Sequence, residues 1–191
     1  MTNSPVEVIR LQSVILTREK QLQIEGEFEN YAKATNFVIK SMLKQHLTKP
    51  ERAFEVLEEP FKQQHDVRNE YLLDVIRTAR AEISRHRRIA STVRSMRDKI
   101  PFYKPGRMIL SQPIVRVGES ALLLKMKDRS QVPVPYDKRS RNREADALLY
   151  IAKGETEEGN KRYGRVRMTW NKEGFIDIDI RARMSEMRKW D

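Results

Sequence analysis

The first strand-patterned run of this chain has nothing nearby to pair with. Val6 to Ile15 starts after Pro5, is rich in β-branched residues, and alternates Val6, Val8 and Arg10 against Glu7, Ile9 and Leu11. The next run of that kind comes only at Met108. A strand alone can neither bury its apolar face nor satisfy its backbone groups, so it has to pair with strands from the far end of the chain. Everything between becomes an excursion from a small β structure. At 191 residues there is room for one sizeable domain or two small ones.

The excursion reads as helical. Thr17 suits a helix N-cap and Glu19 places negative charge in the first turn. The helix should run from about Arg18 to Gln45, with Leu22, Phe28, Tyr31, Ala32, Phe37, Val38 and Leu43 on its apolar stripe and Gly26 weakening its early part. Thr48 can cap a short second helix through Phe54 and Leu57, ended by Pro60. A long third helix carries Val67, Tyr71, Leu72, Val75, Ile76, Ala79, Ile83 and Ala90 at spacings of three and four, and should stop before Pro101.

Beyond Pro101 the period changes. Met108 to Leu110, Ile114 to Val117, Ala121 to Met126 and Gln131 to Val134 read as short strands divided by Pro, Gly and charged turns. Residues 136–147 read as a basic loop or the start of a strand. Tyr163 to Trp170 and Phe175 to Ile180 form a hairpin around Asn171-Lys172-Glu173-Gly174. Trp170 and Phe175 read as core, and Met184, Met187 and Trp190 as a frayed or partner-contacting tail. The fold class that follows is α+β: a small β-barrel interrupted by an inserted helical domain. Its parts are 1–16 (first barrel strand), 17–100 (helical insertion), 101–183 (remaining barrel strands) and 184–191 (tail).

Charge is the second constraint. The net charge is +11, unevenly spread. Met1 to Val67 holds 9 Lys/Arg against 10 Asp/Glu, whereas Arg68 to Arg107 holds 11 against 4. Such a stretch points to a polyphosphate partner, because cationic side chains release condensed counterions when they neutralise phosphates. Arg77, Arg80, Arg85, Arg87, Arg88 and Arg94 lie largely off the apolar stripe of the third helix. Arg85, Arg87 and Arg88 cannot share one helical face. With Arg97, Lys99, Lys104 and Arg107, and with Arg139, Arg141 and Arg143 in the later basic segment, these are the candidate nucleic-acid contacts. Arginine forks suit phosphate and stack on bases. Tyr103, between Lys104 and the arginines, is a candidate base-stacking residue.

Other chemistry is thinly represented. There are no cysteines, which removes disulfides, zinc ribbons and thiol nucleophiles. His46, His65 and His86 lack metal-ligand spacing, although His86 lies in the arginine-rich helix and can reach phosphate. The glycines are spaced as turn residues and make no phosphate loop. Asp177 and Asp179 sit two apart on a predicted strand, so both carboxylates face one side. Two-metal cleavage needs more carboxylates than that, and only Glu186 and Asp191 follow. The reading is therefore no catalytic residue, no metal and no cofactor. Without a signal-peptide core in Met1 to Arg10 or an apolar run near the ~20 residues of a membrane span, the expected location is cytoplasmic, on the nucleoid if DNA is bound. The competing readings are a cryptic metal-dependent nuclease using Asp177 and Asp179, and a helical module whose basic face binds an acidic protein.

Particular residues also carry a family resemblance. The opening strand runs into Leu16-Thr17 and a helix. Tyr31-Ala32-Lys33-Ala34-Thr35-Asn36-Phe37-Val38 follows, then Tyr71-Leu72-Leu73-Asp74-Val75-Ile76-Arg77 with Ala79-Arg80. Pro101-Phe102-Tyr103-Lys104 resembles a Pro-x-Phe-Lys element, and Asp128 to Tyr136 a turn followed by an apolar-polar-apolar-Pro strand. In this order, and with the closing hairpin of Val166 to Ile180, the chain resembles the N-terminal half of the TnpB (OrfB) transposon-encoded RNA-guided nucleases, relatives of type V CRISPR effectors. The likeness spans nearly the whole chain, though each motif is loose. It implies an OB-like β-barrel wedge domain interrupted by a helical recognition domain. It further implies a structured guide RNA and target DNA as partners. The family's RuvC nuclease domain, with its zinc-binding insert, would follow the last barrel strand and is not in this sequence. The resemblance is thus to the non-catalytic half: either a truncated or split product whose nuclease is a separate chain or domain, or a stand-alone binding module.

Overall fold

A computed structural model gives the fold and describes residues 6–183. The tail residues Met184, Met187 and Trp190 lie outside the described residues. The elements are β1 (Val6–Gln12), α1 (Arg18–Lys44), α2 (Pro50–Gln64), α3 (Asn69–Thr92) and a 3-10 turn at Arg94–Met96. Then come β2 (Arg107–Leu110), β3 (Val115–Val117), β4 (Ala121–Lys125), β5 (Gln131–Pro135), α4 (Lys138–Arg143), α5 (Ala145–Ala152), β6 (Tyr163–Asn171) and β7 (Phe175–Arg183). The α+β class holds. The described residues divide into two compact units, one drawn from the segments up to Glu25 and from Met108 onward, the other being Gly26–Arg107. The division falls inside α1 rather than at residue 17. No helix of the described residues is long and apolar enough to cross a membrane.

The β-rich unit is built as the orphan first strand requires. β1 lies antiparallel to β7, with Val6 opposite Arg183 and Gln12 opposite Asp177. The sheet order is β1-β7-β6-β2, and β3-β4-β5 form a second antiparallel sheet. Alternation sorts β7: Ile176, Ile178, Ile180 and Ala182 are buried while Asp177, Asp179 and Arg181 take the other face. Gly174, at φ 93°, makes the positive-φ position of the β6–β7 turn, and its amide donates to the Asn171 carbonyl at 2.9 Å. The two sheets join at one bridge, Ser13 to Tyr136, flanked by the Val14 amide on the Pro135 carbonyl and the Asp137 amide on the Gln12 carbonyl. Among the described residues the strands do not close into a barrel: β2 and β3 are edge strands of separate sheets.

Residues 136–147 form neither a loop nor a strand. Asp137 N-caps α4 by accepting from the Arg139 and Ser140 amides at 2.8 and 3.1 Å. Ser140 Oγ accepts from the Gln12 amide, tying α4 to the end of β1. α5 follows at once, buries Ala147, Leu148 and Ile151, and packs on β3. Trp170 and Phe175 are half-buried on the β6–β7 hairpin rather than central to the core.

The helical unit is assembled around aromatic rings. Tyr31 of α1 meets Tyr71 of α3 and Tyr103 edge-on, each at 5.9 Å between centroids. Its hydroxyl shares a 2.7 Å hydrogen bond with the buried Thr78 hydroxyl. Phe61 of α2 packs against Phe37, His65 and Tyr71. That packing corrects one expectation: Pro60 does not end α2, which runs on to Gln64. Continuing the helix places Phe61 in the core at full burial, which offsets the hydrogen bond that proline removes. Leu22 and Val67, expected on apolar stripes, are instead more than half exposed, and Val67 lies in the turn ahead of α3 rather than on the helix.

Candidate nucleic-acid interface

The third helix decides which cations are available. At about 100° per residue, Arg77, Arg80, Arg87 and Arg88 fall with Ser84 within an arc of about 100°, opposite the buried stripe of Tyr71, Leu72, Val75, Ile76 and Ala79. Arg85 stands about 60° outside that arc. There it pairs with Glu82 at 2.7 Å. Glu82 also receives Arg107 at 3.4 Å, and the Arg107 guanidinium lies over the Tyr103 ring. Arg77 is 3.6 Å from the fully buried Asp74 carboxylate. Arg80, Arg87 and Arg88 are exposed and make no ion pair among the described residues. The same holds for Arg94, Lys99 and Lys104 beyond the helix. Arg97 Nε reaches back to the Ala90 carbonyl at 3.3 Å.

One side of the arc borders a groove of about 640 Å³, walled by Arg77, Arg80, Ser84 and Arg87 of α3 and by Met42, His46, Leu47 and Thr48 where α1 ends. His46 takes a left-handed backbone conformation, φ 54°, in the turn that ends α1. Three guanidinium groups, an imidazole and two hydroxyls thus converge on one concave strip. His46 and Thr48 were not legible as site residues, because only the packing of α1 on α3 brings them there. His86 is half-buried, and His65 is part of the aromatic core.

Tyr103 is not available for stacking. It is 3% exposed, its hydroxyl donates to the Arg107 carbonyl at 2.7 Å, and both its backbone groups are held by Asn36: the Tyr103 amide donates to Oδ1 at 2.8 Å, and Nδ2 donates to the Tyr103 carbonyl at 2.9 Å. The chain alternates through this extended segment, so the ring that faces outward belongs to Phe102.

The later basic segment belongs to the β-rich unit. Arg139 and Arg141 are exposed on α4 with no ion pair among the described residues, while Arg143 bonds Glu144 at 3.0 Å and the Arg10 carbonyl at 2.5 Å. Arg10, Arg139 and Arg143 share a shallow pocket with Asp137, Asp177 and Asp179. Asp179 accepts two bonds from Arg167, at 3.1 and 2.5 Å, and Asp177 accepts one from Gln12 at 2.9 Å. Among the described residues no three His, Asp or Glu side chains gather where a metal ion would need them.

Two expected results follow. Hydrogen bonds from Ser140 and from the Arg139 amide hold the Asp137 carboxyl below its ordinary range. A carboxylate so depressed adds stability above its unfolded pKa and loses it as pH falls through the folded value. Asp137→Ala should therefore cost about 1 kcal/mol at pH 7 and progressively less in acid, whereas Asp137→Asn, which still caps, should flatten that dependence. Denaturant melts across pH 3–7 check both. Separately, Glu82→Gln releases Arg85 and Arg107 from the protein's own carboxylate. It should tighten polyanion binding about 3-fold in a titration at low salt, since each freed cation can neutralise one more phosphate.

No protein-family model matches the chain, and no curated protein is significantly similar to it.

Proposed function

We propose that this chain is a nucleic-acid-binding module that holds a structured RNA by its backbone phosphates, with target DNA as a second partner and without a catalytic site of its own. One observation carries this reading: Arg80, Arg87 and Arg88 stand together on the solvent face of α3, exposed and unmatched by any acid of the described residues, with Arg77 and His46 at the adjoining groove. A cluster of like charges repels itself, and a polyanion supplies the missing counter-charge. Phosphate contacts of this kind position a folded RNA by shape and read few bases.

The wider reading is of the wedge and recognition parts of a TnpB-type RNA-guided nuclease. The motif order supports it, as does the pairing of the first strand with the last described one around a helical excursion. In that reading the two sheets are an OB-like wedge, and a nuclease chain or domain would be supplied elsewhere. The competing protein-interaction reading needs an acidic protein on the same face.

The test is an affinity titration of the purified chain with a folded RNA across 50–300 mM salt. The expected slope of log affinity on log salt is about −0.7 to −0.9 per phosphate contacted, summing to −3 or steeper. A flat response would sink the proposal. Capture of an acidic protein that survives nuclease treatment, with no RNA affinity, would favour the alternative.

A further inference from the structure

The segment after α3 presents an aromatic ring that nothing in its own unit covers. Phe102 is 65% exposed. A single exposed apolar side chain is ordinary and carries no argument by itself. Three other features set this one apart. Its backbone is pinned, because the next residue is clamped on both sides by Asn36 and its ring is locked into the core against Tyr31. Cations flank it in sequence: Arg94, Arg97, Lys99 and Lys104 are all exposed, against one acid, Asp98. The preceding segment is folded back on the end of α3, with the Met96 amide on the Val93 carbonyl and Arg97 Nε on the Ala90 carbonyl, so the stretch that carries those cations is ordered up to the ring's own segment.

A fixed aromatic face amid cations is a stacking platform for a nucleobase, with the charges neutralising its flanking phosphates. Bases in a duplex have their faces covered by their neighbours, so an isolated ring on a surface takes an unpaired base. We infer that Phe102 stacks an unpaired nucleobase of a bound strand, making this corner of the helical unit a single-strand or loop contact. The inference rests on the nucleic-acid reading above and adds to it a preference that phosphate contacts alone cannot produce.

The experiment compares two strands of equal length and charge, oligodeoxythymidylate and a fully abasic analogue, titrated with the full chain. The wild type should bind the base-bearing strand about 5- to 150-fold more tightly, the range for one stacked base. Phe102→Ala should lose that preference while keeping its affinity for the abasic strand, its salt slope and its melting temperature. Phe102→Trp should keep the preference. Equal binding of both strands by the wild type, or a preference that survives Phe102→Ala, would overturn the inference while leaving the phosphate reading intact. If neither strand nor a folded RNA binds, the phosphate reading fails and the inference with it. Conversion of a dimer to a monomer by Phe102→Ala, with strand preference unchanged, would make the ring a self-association contact and also overturn it.

Discussion

Changing Arg80, Arg87 and Arg88 together to glutamine is expected to weaken RNA binding by about 200-fold at 0.1 M salt and to reduce the salt slope by about 2.4. The magnitude follows from counterion release. A slope of about 0.8 per phosphate is worth roughly a factor of 6 at 0.1 M salt, and three such contacts compound to a few hundred. Glutamate at the same positions should lower affinity further, since repulsion replaces attraction. The comparison that gives the result meaning is Arg85→Gln. Arg85 lies one residue from His86 and two from Arg87 in sequence, yet it is turned off the arc and held by Glu82. Its loss should change affinity less than about 3-fold and the slope by less than 1. Exposed arginines of this kind add little to stability, so the triple variant should melt within about 1 kcal/mol of the wild type. A triple variant with an unchanged slope would remove α3 from the binding surface.

The largest stability effect should come from Tyr31. Its ring is fully buried, meets Tyr71 and Tyr103 edge-on, and its hydroxyl is satisfied by Thr78. Tyr31→Ala removes the ring that joins α1, α3 and the Tyr103 segment, and should cost about 3–5 kcal/mol in a urea melt followed by helical circular dichroism. Tyr31→Phe keeps the ring and strands the Thr78 hydroxyl, for about 1–2 kcal/mol. Adding Thr78→Val to Tyr31→Phe should recover most of that loss, because removing both polar partners leaves nothing unsatisfied. A double variant no more stable than Tyr31→Phe would show that the 2.7 Å contact is not what holds the pair in place.

Much of this architecture was legible because it is periodic. α1 and α3 have long apolar stripes, β6 and β7 alternate over nine residues each, and an unpaired first strand implied a distant partner. What escaped was decided elsewhere. Pro60 reads as a stop by local chemistry and is overruled by the burial of Phe61. α4 and α5 were hidden by a run of basic residues that says nothing of backbone conformation, although the Asp137 cap and the Ala145-to-Ala152 composition both favour helix. Closure of a barrel was inferred from the first strand's need for later partners, whereas the strands fall into two sheets joined at Ser13 and Tyr136. At the candidate site, charge and spacing located the helix. They did not tell which arginines the protein keeps for itself, since Glu82 chooses Arg85 and Arg107 through packing. Tyr103 was misjudged for a similar reason: the side chain of Asn36, far away in sequence, clamps its backbone with the ring turned inward and leaves Phe102 exposed.

The pairing of Val6 with Arg183 also sets an order of events during synthesis. Chains emerge from the ribosome at about 5–20 residues per second, so β1 is out long before β7 exists. Residues 26–107 have all their mutual contacts as soon as Arg107 is free. The helices should therefore be settled while the first strand still waits with its hydrogen-bonding edge open. Nascent chains stalled about 40 residues beyond Arg107, enough to carry it out of the ribosomal tunnel at ~3.3 Å per extended residue, should already protect Tyr31 from proteolysis while leaving the β1 segment cleavable, and only release past β7 should close that window.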